Sequence, residues 1–197
     1  TCLIKPIQII VKGEGHGFNN IEHFKNTIKP ILYINNEPVI TTMIDYYGVN
    51  SDTKIPDYSL CLSLVSVQEK INCLEDKLFD IVQNIKPYRY FIPNLILNEF
   101  ETFLFANPQT GFSLEDDSIV NDIVQLTDNY KSIEDINNTP EGAPSKRIEA
   151  IFAKHGKKYQ KGLNAVIYAQ FTGIVNIISK CPHFNNWLKK IELMVNT

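Results

Sequence analysis

Apolar and polar positions follow two periods along this chain, and the switches between them mark its elements. "TCLIKPIQIIV" (1–11) is rich in isoleucine and valine and reads as a strand. The Gly-rich turn "KGEGHG" closes it. In "NNIEHFKNTIKPIL", Ile21, Phe24, Ile28 and Ile31 recur at helical spacing, with Asn19 or Asn20 placed to cap the helix. "EPVITTMIDYYGV" (37–49) predicts a second strand, almost wholly apolar as far as Asp45. Such continuous apolarity suits a strand covered on both faces, as in a parallel sheet. After the loop "NSDTKIPDYS", the run "LSLVSVQEKINCLEDKLFDIVQ" (62–83) reads as a long amphipathic helix. Its stripe is Val67, Ile71, Leu74, Leu78 and Ile81. "YRYFIPNLIL" (88–97) is the third strand. Strand, helix, strand, helix, strand predicts an α/β fold, a parallel sheet with right-handed crossovers.

Beyond it the pattern turns helical: "NEFETFLFA", "SLEDDSIVNDIVQL", "SKRIEAIFAKH", "LNAVIYAQFTGIVNIIS" and "FNNWLKKIELMV", with the loop "NNTPEGAP" in between. We expect one domain over 1–197, with an α/β sheet core over 1–112 and a mainly helical extension over 113–197. The length is enough for a sizeable core.

Composition changes this picture little. The chain is 44% hydrophobic and 21% charged, ordinary values for a soluble globular protein. No apolar run approaches a membrane span, so no membrane role is expected. Cys2, Cys61, Cys73 and Cys181 are scattered without a CxxC, so we expect a reduced, cytoplasmic protein without disulfides. The chain begins at Thr1 inside an apolar run, which leads us to expect a piece of a longer protein. A net charge of −3 argues against a globally basic nucleic-acid surface. The distribution is uneven, however. Ser113 to Gly142 holds eight acids and one lysine, and Pro144 to Lys161 holds six Lys or Arg and one glutamate. These stretches read either as solvated helix faces or as a phosphate-attracting patch beside an acidic one.

Ligands of such sheets bind beyond the carboxyl ends of the strands. Asp45 and Glu99 end the second and third strands, so both are expected on one rim. Asp45 reads as a ligand for a hard cation such as Mg²⁺ or as a turn-capping aspartate. Glu99 and Glu101 point about 200° apart on a helix but share a face on a strand. As a helix start, Asn98 would be the cap and the acids would favour the helix dipole. "GEGHG" lacks the GK[ST] of a phosphate loop, and its third glycine is misplaced for a dinucleotide loop, so His16 reads as an exposed loop residue. Lys146 and Arg147 open a helix and either contact phosphate or form a surface pair. Cys181 and His183 are too few for zinc, and Phe184 and Trp187 read as packing for the last helix. No Ser-His-Asp arrangement is legible.

Taken together, "VITTMIDYYGV", "RYFIPNLILNEFETFLF", "SIEDINNTPEGAPSKRI", "KYQKGL" and "CPHFNNWL", in that order, resemble domain-of-unknown-function family 4276, a group of Toprim-like proteins. The resemblance runs from about Lys12 onward. It implies a Toprim-like parallel sheet flanked by helices, Mg²⁺ (or Mn²⁺) for phosphodiester chemistry, and an ATPase encoded nearby in prokaryotic defence against phage. It implies catalytic Asp45, Glu99 and Glu101, with Asp45 and Glu99 on the metal. It also implies Lys146, Arg147 and Lys161 on nucleic-acid phosphate. The alternative is a non-catalytic binding subunit of the ATPase with a degraded Toprim site. Three departures bear on that choice. The family's first-strand "VEGxTE" glutamate is missing, so the N-terminal strand–helix unit is expected to be absent. Asn98 stands where the family has histidine, and Tyr47 fills the second position of an Asp-x-Asp.

Overall fold

The computed structural model describes residues 4–9, 18–97, 99–136 and 142–196, with the side chain of Tyr47 outside that description. The chain divides into two compact units, Thr1–Ile96 with Lys190–Thr197, and Leu97–Lys189. Each is described by itself.

The first unit begins with α1 (Ile21–Leu32). Asn20 caps it, its side chain accepting from the Glu22 N–H at 2.9 Å. Ile21, Phe24, Ile28 and Leu32 are buried, so the stripe ends on Leu32 rather than Ile31. There follow β1 (Ile40–Thr41), β2 (Ile44–Asp45), α2 (Tyr58–Leu62), α3 (Val67–Ile85), β3 (Phe91–Ile92) and β4 (Leu95–Ile96). β1 pairs with β3 and β2 with β4, both parallel and in one continuous register that sets Ile40 opposite Phe91 and Asp45 opposite Ile96. Between the two ladders Thr42 intervenes. Its hydroxyl accepts the Asn94 N–H at 2.7 Å and donates to the Asn94 carbonyl at 2.9 Å. The carbonyls of Tyr90, Ile92 and Asn94 receive the N–H groups of Ile40, Thr42 and Ile44. Residues 91, 93 and 95 therefore turn their N–H sides to the other edge, where Pro93 sacrifices no ladder bond. On that edge the Leu95 N–H donates to Glu75 of α3 at 2.9 Å.

Four expectations are corrected here. Residues 4–9 form no strand, and Ile4 and Ile7 are exposed; the rest of the predicted first strand and the "GEGHG" turn lie outside the described residues. The second strand is covered on one face: Ile40, Thr42 and Ile44 are buried, while Thr41, Met43 and Asp45 are exposed. Its period of two is that of a half-covered strand. Cys61 and Cys73 form a disulfide. α2 folds back along α3 and brings their Cα atoms to 5.4 Å, a proximity that a sequence separation of 12 without CxxC does not advertise. α3 starts at Val67 rather than Leu62, because Ser66 and Glu69 form a capping box.

The second unit is helical. A tight 3₁₀ helix, Phe100–Ala106, is buried from Glu101 onward. α4 (Pro108–Gly111), α5 (Asp117–Asp128), α6 (Pro144–Lys154), α7 (Leu163–Thr172), α8 (Ile174–Lys180) and, as far as Lys189, α9 (Pro182–Val195) follow. The run expected as one helix over 163–179 is two, broken at Gly173, whose φ of 78° favours glycine. Phe112, Phe152, Tyr159 and Tyr168 pack their rings together at the core. Gly111 lies against Thr172, whose hydroxyl donates to the Tyr168 carbonyl at 2.9 Å. A methyl at position 111 would collide with that anchored hydroxyl. Gly111→Ala is therefore expected to lower stability by about 1–3 kcal/mol in urea denaturation, although alanine is the better helix former.

Candidate functional site

Asp45 closes β2, and a short 3₁₀ turn, Tyr46–Gly48, follows it. Its side chain is exposed at the carboxyl end of a parallel strand, as the sequence predicts. An exposed carboxylate at such a strand end suits a hard cation that keeps most of its waters. Among the described residues no three His, Cys, Asp or Glu side chains gather around a metal position. Asn98 and the side chain of Tyr47 lie outside the described residues.

Glu99 belongs to the second unit and immediately precedes the 3₁₀ helix. Its Oε1 accepts from Lys161 Nζ at 2.6 Å, and its Oε2 accepts from the Ser145 N–H at 3.0 Å. Lys161 also reaches the Ser145 hydroxyl at 3.4 Å. Ser145 lies in the first turn of α6, whose cap residue Ala143 offers no side-chain acceptor. Glu99 thus satisfies a helix N–H from 46 residues away and sets its charge against the helix dipole. Burial alone would raise its pKa, but the hydrogen bonds from Lys161 and Ser145 outweigh that and hold it below the ordinary carboxylate value.

Glu101 is two residues on and buried, accepting from the Tyr159 hydroxyl at 3.2 Å. Burial pushes its pKa up despite these partners, and burial beside Glu101 pushes the Tyr159 phenol up as well. The segment is neither a solvated helix start nor a strand. A three-residue turn sends the two carboxylates onto different partners. Thr102, next in line, has a buried hydroxyl with no hydrogen-bond partner. Thr102→Val is expected to be neutral or stabilising by up to about 1 kcal/mol in thermal unfolding, since an unmade hydrogen bond is removed at constant shape.

Of the three cations expected on phosphate, Lys161 joins Glu99. Lys146 pairs with Glu149 at 2.8 Å on the surface of α6. Arg147 donates to the Gly142 carbonyl at 2.6 Å and lies over the Tyr130 ring. The acidic and basic stretches neutralise each other in part. Asp122 binds Lys154 and His155, and Lys157 binds Glu115 and Asp116. Ser118 contacts His155 at 3.3 Å, so a Ser-His-Asp row exists, but Asp122 is shared with Lys154 and the row serves as a clamp between α5 and α6. Glu134 accepts from the N–H groups of His183 and Phe184 at the start of α9. Phe184 packs on Phe103 and Trp187, as expected.

Ser145 and Tyr159 are the site residues that sequence reading misses. The signals were local: Ser145 opens a helix with no capping side chain before it, and Tyr159 precedes Lys161 by two positions. A family model described as a domain of unknown function, DUF4276, matches residues 3–192. No curated protein and no solved structure matches the chain. Among the described residues no helix is long and apolar enough to cross a membrane.

Proposed function

The chain belongs to the DUF4276 family, and from that premise we propose that it is a Toprim-like protein serving Mg²⁺- or Mn²⁺-dependent phosphodiester cleavage beside an ATPase in prokaryotic defence. The observation that carries this reading is Asp45, an exposed carboxylate at the carboxyl end of a parallel strand in the motif "TTMIDYYG". Asp45 would hold the ion. When bound, such an ion activates water and neutralises charge on a phosphodiester. Lys161, whose side chain is 53% exposed while bound to Glu99, is the cation we assign to a nucleic-acid phosphate, and Glu99 sets its position. Incubation with supercoiled DNA, RNA, Mg²⁺ and the neighbouring ATPase tests the reading. Asp45→Asn is expected to reduce cleavage at least about 100-fold, the scale on which single charge-stabilising groups act. Undiminished cleavage by the variant would overturn it.

A second reading is favoured by a specific observation: both Glu99 oxygens are already engaged, one by Lys161 and one by α6. A chain whose motif acids serve as structural latches would be a non-catalytic subunit of the ATPase. It would bind that partner equally with or without Asp45, and would cleave nothing.

A further inference from the structure

The exposed side of α3, with the turn before it, mixes acidic residues with two apolar ones, Leu64 and Phe79, the latter also stacked on Phe91 of β3. A groove of about 660 Å³ runs along it, lined by Leu64, Phe79, Asp76, Asp80 and Glu69 among others. Around the α2–α3 turn Val65 is 95% exposed, Leu60 63% and Val67 46%. Exposed apolar side chains gathered at one turn are candidates for a binding surface. Its position is fixed, because the Cys61–Cys73 disulfide clips α2 onto α3 beside the groove.

The charges select the occupant. Asp76 and Asp80 lie one helical turn apart, a like-charge i,i+4 pair that destabilises the helix it sits on. The groove's cation, Lys77, is bound to Asp57 at 2.8 Å. Glu69 is held in the capping box with Ser66. The two aspartates are thus left facing solvent in a groove that Leu64 and Phe79 also line. A cation placed between them relieves their repulsion, and an apolar side chain between Leu64 and Phe79 covers both. From Glu69 to Asp80 the face spans about 16 Å, or roughly three helical turns. We propose that this groove docks a cationic amphipathic helix of a partner protein, its apolar stripe against Leu64, Val65 and Phe79 and its Lys or Arg residues on Asp76 and Asp80. Nucleic acid and anionic lipid are disfavoured at this face by like charge. The proposal stands whether or not Asp45 holds a metal.

A fluorescein-labelled 14-residue Leu/Lys amphipathic peptide, followed by anisotropy on the full chain, tests it. A matched Leu/Glu peptide serves as control. Binding in the micromolar range is expected for the cationic peptide, weakening as salt rises, with none for the anionic one. Asp76→Lys with Asp80→Lys should weaken binding at least tenfold, and Phe79→Ser should do likewise. Asp116→Lys with Asp117→Lys, which makes the same change in net charge on α5, should leave it unaltered. Circular dichroism checks that each variant is folded. Equal loss in the α5 control would reduce the effect to bulk charge and overturn the proposal. So would equal binding by the α3 variants, or preferred binding of the anionic peptide.

Discussion

Phe152→Ala is expected to cost about 3–5 kcal/mol of unfolding free energy. Phe152 is 2% exposed at the centre of the second unit. Its ring centroid lies 5.7 Å from Tyr159, 6.3 Å from Tyr168 and 6.4 Å from Phe112. Truncation removes the transfer free energy of the ring and leaves a cavity that three aromatic neighbours cannot collapse into. Two of those neighbours are tethered by their hydroxyls, Tyr159 to Glu101 and Tyr168 to Glu115. The cost should therefore fall at the upper end of the range. Because Tyr159 anchors Glu101, the same variant should also perturb the Glu99–Lys161 segment, visible as faster amide exchange there. Urea unfolding followed by tyrosine fluorescence measures the loss. A change below about 1 kcal/mol would mean that these rings do not form the core.

The second large effect is a pH dependence. Glu75 is 5% exposed, and burial pushes its pKa from the ordinary 4.5 up to about 7, the Leu95 N–H offsetting only part of the penalty. Its folded pKa lies above its unfolded one, so the folded state holds the proton more tightly between the two. The stability this contributes is fully present below pH 4.5 and declines as pH rises to about 7, by roughly 3 kcal/mol in all. Glu101 and Glu134 are shifted in the same direction and add to the decline, while Glu99 is shifted the other way. Glu75→Gln keeps an acceptor for Leu95 and removes the titration. Urea midpoints at pH 5 and pH 8 should therefore differ less in the variant than in the wild type. Parallel profiles would show that Glu75 is not buried as described.

The elements legible in the sequence are those whose determinants are local. α1 followed from its stripe and its Asn20 cap, and α3 from its stripe, of which Ile71, Leu74, Leu78 and Ile81 are buried while Val67 is exposed. The parallel pairing of the second and third strands was also legible, from a crossover helix between two apolar runs. What failed depended on tertiary partners. The half-exposed face of the second strand was hidden because Val39, Ile40, Met43 and Ile44 give an almost unbroken apolar reading whichever face is covered. The disulfide required knowing that α2 doubles back on α3. The break at Gly173 lay in a run apolar on both sides, where no change of period marks it. The candidate site was half legible. Glu99 and Glu101 were singled out from the residues and Lys161 through the family resemblance, yet their mutual satisfaction through Ser145 and Tyr159 is a property of packing.

Mn²⁺ titration followed by electron paramagnetic resonance, on the wild type and on Asp45→Ala, bears most directly on the metal role of Asp45. A single site is expected in the wild type, with affinity at least about tenfold weaker in the variant, the scale of losing a metal-holding group. Superimposable titrations would place any bound ion elsewhere and leave the ATPase-binding subunit as the reading of this chain.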